Sequence, residues 1–300
     1  MNLQQMRYFL TVAETGNITA AANLLHMAQP PLSRQIKQLE EELDTELFDR
    51  SGRHLQLTES GILLAHRARE ILNLTERSLQ EVRSVGQGIS GTLYMGAVST
   101  ANYMLLPNLI KEFNKLYPQV RFQLVTEATT RITELLEKGV LELGIVRMPF
   151  NSNFFDSYNL PEEKLVAILN NENHPLPQEK NTLSVSELAT YPLLLHQKYE
   201  SLVTNVFRKH RCRPRYFCRS NDTIPLLGWT EAGLGAAIVP QSAAVCETRP
   251  RLAAYEIEDQ ELTTTGALVW LKKRRQSAVA AAFINFFIEY FSAFQNTPEK

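Results

Sequence analysis

A run of polar side chains between Gln29 and Lys37 has the chemistry needed to recognise nucleobases and phosphates. An arginine guanidinium can bond guanine through two hydrogen bonds, a glutamine amide can pair with adenine, and a proline ring can contact a thymine methyl group. Serine, lysine and arginine side chains also reach phosphate oxygens. The candidate DNA-contacting residues of this run are Gln29, Pro30, Pro31, Ser33, Arg34, Gln35 and Lys37.

Two short helices joined by a tight turn are predicted to position these side chains. The first has Thr19 as its N-cap, and its apolar face consists of Ala21, Leu24 and Leu25. The second begins at Pro30 or Pro31, since proline suits the first turn of a helix. Its apolar face consists of Leu32, Ile36, Leu39 and Leu43, which leaves the polar face outward. Such a helix fits the major groove, although an amphipathic helix of an ordinary bundle has the same pattern.

A small hairpin is predicted directly after the second helix. Leu47 and Phe48 anchor it, residues 49–53 turn, and residues 54–58 alternate polar and apolar side chains. Arg50 and Arg53 lie at the tip, where they are placed to meet the phosphate backbone or an adjacent minor groove. Together with the two helices, this hairpin predicts a winged helix-turn-helix, an all-α DNA-binding domain with a wing.

The stretch from Met6 to Gly61 resembles the N-terminal domain of LysR-type transcriptional regulators. The resemblance rests on the run FxxVAExGNxxxAAxxLxxxQPxLSRQIxxLExELxxxLFxR and on the LTxxG that follows it. It implies a protein that binds double-stranded promoter or operator DNA. Further properties implied by the resemblance alone are a tetramer made from two dimers, a T-N11-A type site, and control of a divergently placed neighbouring gene.

Composition agrees with a multidomain globular protein. A chain of 300 residues exceeds one ordinary core, and 44% hydrophobic with 21% charged residues is typical of globular chains. The net charge of −1 argues against a general polyanion binder, so any DNA surface must be local. Three cysteines and no signal peptide indicate a cytoplasmic protein. The longest apolar stretch, residues 278–294, is too short to cross a membrane and predicts a core helix.

One long helix is predicted from about Thr58 to Val85. Its seam has the 3.5-residue spacing of a coiled coil and consists of Leu64, Ala68, Ile71, Thr75, Ser78, Val82 and Val85. The predicted dimerisation residues among these are Leu64, Ala68, Ile71 and Val82. Packing of the stripe on its own domain is the alternative, but roughly 27 residues project about 40 Å, beyond a small winged domain. The resemblance implies a linker helix that pairs antiparallel in a dimer.

Residues 86–91 match the dinucleotide-binding pattern G-x-G-x-x-G. That pattern needs a strand before it and a helix after it, whereas here a helix precedes and a strand follows. The glycines therefore predict a hinge rather than a cofactor site.

The remaining chain alternates predicted strands and helices, an α/β pattern. It resembles the two-lobed, periplasmic-binding-protein-like regulatory domain of the same family, which implies two lobes joined by two crossing strands with a small ligand between them. The predicted domains are a winged helix-turn-helix over residues 1–58, a linker helix and hinge over 59–90, and a regulatory domain over 91–300. Lobe I takes residues 91–160 and 266–300, and lobe II takes residues 161–265.

A small, anionic organic effector is predicted between the lobes. Ligands of α/β sheets bind at the carboxyl ends of strands, near helix N-termini that offer free N–H groups. The candidate effector-binding residues at these ends are Ser99, Thr100, Thr129, Arg147, His196 and Thr223. Each of these residues has an alternative role. The hydroxyls could cap helices, Arg147 could form an interlobe or surface ion pair, and His196 could be a structural residue. Family members commonly hold an effector carboxylate at the positions of Ser99, Thr129 and Arg147.

Other function classes find less support. A solute-binding protein would lack the winged head, and we find no G-x-S-x-G, H-E-x-x-H, P-loop or metal-ligand spacing that would indicate an enzyme. No catalytic residue, metal or cofactor is expected apart from the co-inducer. Redox sensing by Cys212 and Cys218 is disfavoured against ordinary reduced thiols, and the sequence assigns no role to Cys246. The sequence therefore predicts a homo-oligomeric, DNA-binding regulator whose activity depends on a small-molecule effector.

Overall fold

The computed structural model describes residues 1–49, 55–84, 89–172, 181–244 and 249–295; within helices, the side chains at 73, 76, 77, 80–84, 294 and 295 are not described. The chain divides into two compact units, Met1–Gln87 with Lys138–Val140, and Gly88–Glu137 with Leu141–Lys300. Each unit is described by itself below. No helix among the described residues is long and apolar enough to cross a membrane.

Three helices build the core of the first unit: α1 (Leu3–Thr15), α2 (Ile18–Leu24) and α3 (Gln29–Leu43). The Asn17 side chain caps α2, because it accepts hydrogen bonds from the N–H groups of Thr19 (2.8 Å) and Ala20 (3.0 Å). The prediction of Thr19 as the N-cap is therefore wrong by two residues. Asparagine is the stronger cap and precedes the first helical residue, as a cap must.

Helix α3 presents the predicted faces. Its first residue is Gln29, just before the two prolines, and no side chain caps it. Leu32, Ile36 and Leu39 are fully buried, whereas the predicted fourth apolar contact, Leu43, is exposed at the end of the helix. The prediction that Leu24 lies on the buried face of α2 is also wrong, since 66% of this residue is exposed. The short α2 buries only Ala21 and Ala22.

A two-stranded wing follows α3, as predicted. Strands β1 (Phe48–Asp49) and β2 (Gln56–Leu57) pair antiparallel. The Glu40 carboxylate of α3 accepts hydrogen bonds from the backbone N–H groups of Leu47 (2.9 Å) and Phe48 (3.3 Å), which fixes the start of the wing to the helix. The predicted tip residues Arg50 and Arg53 lie outside the described residues.

The predicted long helix is α4 (Glu59–Ser84). Ala68 has 0% exposure and packs with Ala65 in the core of the first unit, and half-buried Leu64 packs against the same core. The prediction that Ala68 lies on an exposed dimerisation seam is therefore wrong, because this part of the stripe covers the unit's own helices. Farther along, Ile71, Leu74 and Leu79 are exposed. The side chain of Val82 lies outside the described ones.

The second unit is an α/β structure with two lobes. Its strands are β3 (Gly91–Ala97), β4 (Val120–Thr126), β5 (Leu143–Arg147), β6 (Phe155–Asn170), β7 (Thr182–Leu183), β8 (Pro192–His196), β9 (Arg215–Ser220), β10 (Ala236–Pro240), β11 (Leu252–Ile257) and β12 (Thr263–Leu271). Its helices are α5 (Leu106–Leu116), α6 (Thr129–Glu137), α7 (Val185–Leu188), α8 (Glu200–Lys209), α9 (Ile224–Glu231) and α10 (Ala278–Gln295). A π-helical turn, Ala101–Leu105, precedes α5.

Strand β6 belongs to both lobes. Its first half pairs with β12 in the sheet β4-β3-β5-β12, which forms lobe I, and its second half pairs with β10 and β11 in the sheet that continues to β8 and β9, which forms lobe II. From the sequence we predict a strand only from Lys164 to Leu169, because the mostly polar residues 156–163 precede the apolar run. Phe283 and Phe287 of α10 are fully buried in lobe I, which confirms the predicted core helix.

Candidate DNA-binding surface and effector cavity

The polar residues of α3 lie on the surface of the first unit. Gln29, Pro30, Arg34 and Lys37 are exposed, and Pro31, Ser33 and Gln35 are half-buried. Lys37 pairs with Glu41 one turn later, at 3.6 Å, and such an exposed pair holds the side chain only weakly. The helix thus has a row of hydrogen-bonding side chains opposite its buried leucines. Which of these residues contact DNA stays a prediction.

A cavity of about 520 Å³ lies in the second unit at the carboxyl ends of strands from both lobes. All six residues predicted for the effector line it: Ser99, Thr100, Thr129, Arg147, His196 and Thr223. Parallel strands β3, β4 and β5 end on the lobe I side and β8 and β9 on the lobe II side, which is why residues distant in sequence meet here. Most of the lining residues have polar side chains.

The Arg147 guanidinium is bound to the protein itself. It forms a short ion pair with the Glu163 carboxylate of β6 and donates to the Ser242 hydroxyl at 3.1 Å. Ser242 in turn donates its N–H (2.7 Å) and its hydroxyl (3.1 Å) to Glu163. Arg147 is 9% exposed, so a nearly buried guanidinium has found a carboxylate partner. The ion pair is the alternative that the sequence left open beside contact with an effector, and effector contact by Arg147 stays a prediction.

The backbone of Arg147 forms hydrogen bonds with two further side chains that line the cavity. The Thr129 hydroxyl donates to the Arg147 carbonyl and accepts from the Arg147 N–H, both at 3.2 Å. The Lys198 ammonium also donates to the Arg147 carbonyl through a short hydrogen bond. Thr129 belongs to lobe I and Lys198 to lobe II, so this carbonyl is a meeting point of the two lobes.

Lys198 was missed by sequence reasoning. It lies in a short 3-10 turn, Gln197–Tyr199, two residues past the end of β8. Burial and the nearby Arg147 charge lower the pKa of Lys198 to about 8. The signal that could have found it is the rule already applied to His196, extended by two residues along the same strand end.

His196 lines the cavity but has a structural role in this arrangement. Its Nδ1 accepts the N–H of Lys198 at 3.0 Å, and its Nε2 lies 2.9 Å from the carbonyl oxygen of Asn221, to which it donates. Burial lowers the pKa of His196 below its usual 6.5, which suits a neutral ring with both nitrogens in use.

The remaining predicted hydroxyls lie near helix starts. Thr100 is buried just before the π-helical turn and Thr223 just before α9, and neither makes a side-chain cap hydrogen bond. Asp222 takes that role for α9, since its carboxylate accepts the N–H of Ile224 at 3.1 Å. The hydroxyls are thereby available to a ligand, next to first-turn N–H groups that have no partner within their helix.

A second cavity of about 340 Å³ also has Arg147 on its wall. Glu163 and Ser242 lie on its wall, and most of its other wall residues are apolar: Val98, Ala101, Met104, Leu105, Ile145, Val146, Leu160 and Phe291. Arg147 therefore lies on the wall of both cavities, the first lined mostly by polar residues and the second mostly by apolar ones.

The thiols and acids show no other site in the described part of the chain. Cys212 and Cys218 are free and half-buried, and Cys246 lies outside the described residues. Among described residues, no group of three or more His, Cys, Asp or Glu could hold a metal ion.

Sequence models of two domains match the chain. The "LysR substrate binding domain" matches residues 86–292, and the "Bacterial regulatory helix-turn-helix protein, lysR family" matches residues 3–62. The transcriptional regulator BsdA of Bacillus subtilis (strain 168) is 30% identical over 294 residues, which are 96% of this chain and 100% of BsdA. The regulator TfdS of Cupriavidus pinatubonensis is 31% identical over 284 residues, covering 94% and 96%.

Solved structures give the same result. The crystal structure of CbnR, a LysR family transcriptional regulator, superposes with a TM-score of 0.81 at 26% identity and covers 97% of this chain and 99% of CbnR. Full-length CbnR in complex with its target DNA gives a TM-score of 0.80 at 27% identity, covering 95% and 98%. These relatives are regulators and not enzymes. With a helical helix-turn-helix domain and a two-lobed α/β substrate-binding domain, the chain belongs to the LysR family of transcriptional regulators.

Proposed function

We propose that the protein binds promoter DNA sequence-specifically and that a small anionic effector, held between the lobes of the second unit, modulates this binding. The observation that carries the effector proposal is the cavity at the carboxyl ends of strands from both lobes, where all six residues chosen from the sequence meet. Lys198 and the helix starts supply positive potential there.

DNA binding is assigned to the exposed face of α3. Gln29, Pro30, Ser33 and Arg34 contact base edges or adjacent phosphates, and Pro31, Gln35 and Lys37 support them. Arg50 and Arg53 anchor the wing on the DNA backbone. The structure of CbnR with its target DNA supports this proposal, because that relative shares the fold over nearly its whole length.

Dimerisation is assigned to the exposed part of α4. Ile71, Leu74 and Leu79 are exposed apolar side chains on a helix of 26 residues, and half-buried Leu64 precedes them on the same helix. Val82 is assigned to dimerisation from its spacing in the sequence alone. Pairing with a second copy buries such a stripe. A dimer, and a tetramer of two dimers, then holds the α3 helices at a fixed separation. In this proposal residues 1–58 bind DNA, residues 59–90 link and dimerise, and residues 91–300 bind the effector.

Effector binding acts by shifting a conformational population. A ligand that contacts both lobes favours the arrangement that it binds better, by no more than its difference in affinity. Because Arg147, Thr129 and Lys198 join the lobes at the cavity, a ligand there has a direct means of distinguishing one arrangement from another.

The DNA proposal is tested with the full-length protein and a labelled fragment of its own upstream region. Arg34→Ala should lower affinity about 10- to 100-fold, as about 1–3 kcal/mol for a base contact predicts, and leave dimerisation intact. Lys115→Ala, which removes an exposed lysine paired with Glu112 in the second unit, is the matched control and should change nothing. Equal affinity of Arg34→Ala and the wild type would count against the proposal.

A further inference from the structure

We propose that Lys198, rather than Arg147, binds the anionic group of the effector and links effector binding to the contact between the lobes. The inference rests on the proposed function, because it concerns the ligand of the same cavity. It assigns the charged partner to a residue that strand-end reasoning from the sequence passed over.

Arg147 already has its partners. The guanidinium pairs with Glu163 and donates to Ser242, and Ser242 itself donates twice to Glu163. Turning the guanidinium toward a ligand would leave a carboxylate with a side-chain exposure of 21% without its cation. Losing one member of such a desolvated pair is strongly unfavourable. Arg147 is therefore a positioning residue that holds the wall of the cavity.

The Lys198 ammonium has more hydrogen-bond donors than its contact with Arg147 uses. An ammonium group carries three N–H donors, and the Arg147 carbonyl takes one of them. No described carboxylate lies within ion-pair distance of Lys198, although its side chain is partly buried against the cavity. A partly desolvated cation without a counter-ion gains from an anion that enters beside it, which makes it the group best suited to a ligand carboxylate.

The position of Lys198 connects the ligand to the lobes. The ammonium belongs to lobe II, whereas the carbonyl that it contacts ends strand β5 of lobe I. A carboxylate on this ammonium therefore lies against a hydrogen bond that crosses from one lobe to the other. Its binding energy differs between arrangements that keep this bond and arrangements that break it, which is the requirement for coupling.

Lys198 changes charge just above neutral pH, and several charged and titratable groups surround it. They are Arg147 on β5, Glu163 on β6, Glu127 before α6, Asp222 before α9, and His196 and Tyr199 beside it. Burial lowers the pKa of His196 from 6.5 and raises the pKa of Tyr199 from 10, so both titrate outside pH 7–9. Ligand affinity should then follow Lys198 protonation across this range.

The test measures binding of sodium lactate, malate, gluconate and hexanoate to the full-length protein by calorimetry at pH 7 and pH 9. For an acid that binds the wild type, Lys198→Met should weaken binding about 10- to 100-fold, as expected for a lost charge-assisted hydrogen bond. Wild-type affinity should fall about tenfold from pH 7 to pH 9. Lys198→Arg should retain binding and lose this pH dependence, since arginine stays charged.

Two checks separate the possible results. Lys164→Met removes an exposed lysine that pairs with Glu256 outside the cavity, and it should bind like the wild type. Each variant must also keep DNA binding without ligand and a cooperative unfolding transition. If Lys198→Met binds the acid as tightly as the wild type, the Lys198 assignment is overturned while the proposed function stands. If the wild type binds none of the four acids, both the assignment and the anionic effector are overturned.

Discussion

The Arg147 guanidinium and the Glu163 carboxylate form an ion pair between the end of β5 and the strand shared by the two lobes. The pair is nearly buried and is reinforced by Ser242 from the turn after β10. Charges in this setting stabilise a structure only as a set, because each one alone would be a desolvated, uncompensated ion. The stability of the second unit should therefore respond to either partner.

Removing the Glu163 charge tests this relationship. Glu163→Gln should lower the free energy of unfolding of the second unit by about 1–3 kcal/mol, because Arg147 keeps its charge and loses its counter-ion. Urea denaturation of the full-length protein measures the change. Glu162→Gln is the control, since Glu162 is exposed and accepts one hydrogen bond from the Thr263 hydroxyl. Equal stability of the two variants would contradict the role of the pair.

The cap of α2 gives a second prediction. Asn17→Ala should destabilise the first unit by about 1 kcal/mol, because two backbone N–H groups lose the side-chain oxygen that accepts from them. Thr19→Ala, two residues later and exposed, should change stability by less than about 0.5 kcal/mol. The comparison is made by chemical denaturation of the first unit in the full-length protein. A larger loss of stability from Thr19→Ala than from Asn17→Ala would instead support Thr19 as the N-cap, as predicted from the sequence.

A third prediction concerns the close approach of α4 to the wing. A Cβ atom at Gly61 would lie 2.1 Å from the Leu47 carbonyl oxygen, whereas a Cβ at Gly228 in α9 would meet nothing within 4 Å. Gly61→Ala should therefore cost about 2 kcal/mol or more and weaken DNA binding by displacing the wing. Gly228→Ala should be neutral or stabilise by up to about 1 kcal/mol, as alanine in a helix does. Thermal unfolding of both variants decides the matter.

A fourth prediction follows from the pKa of Lys198, which falls from 10.5 to about 8 in the folded protein. Between pH 8 and 10.5 the unfolded chain holds a proton at this lysine that the folded chain has released, so stability from this group rises with pH. The difference in unfolding free energy, wild type minus Lys198→Met, should increase by about 1–2 kcal/mol from pH 7 to pH 10 after allowing for solvent screening. A difference that stays flat or falls would contradict the lowered pKa.

Strand ends were predictable from the sequence, and with them most of the cavity. The predicted strands 143–147, 192–196 and 236–240 have the same bounds in the structure, and within each lobe parallel strands bring their carboxyl ends to one edge of the sheet. Hence Ser99 and Thr129 could be placed near one another without coordinates, whereas the placement of His196 beside them followed from the resemblance to a two-lobed domain. The domain boundaries proposed from the sequence remain predictions.

Partners of side chains were not predictable in the same way. Arg147 meets Glu163 and Ser242 only because the crossing strand and the turn after β10 arrive at the same point, and no local pattern encodes that meeting. Ala68 shows the same limit on α4. Its spacing correctly predicts an apolar stripe, but spacing does not say whether the stripe covers a helix of the same chain or a second copy.

The path of the chain through β6 and β12 has a consequence for synthesis on the ribosome. Lobe II is inserted within lobe I, so all of its strands emerge before β12 and α10, whose buried Phe283 and Phe287 complete the core of lobe I. A nascent chain therefore gains its winged head first and its second lobe next. The lobe that begins earlier in the sequence is the last to close, because β5 can pair with β3 at once but keeps its other edge unpaired until β12 arrives.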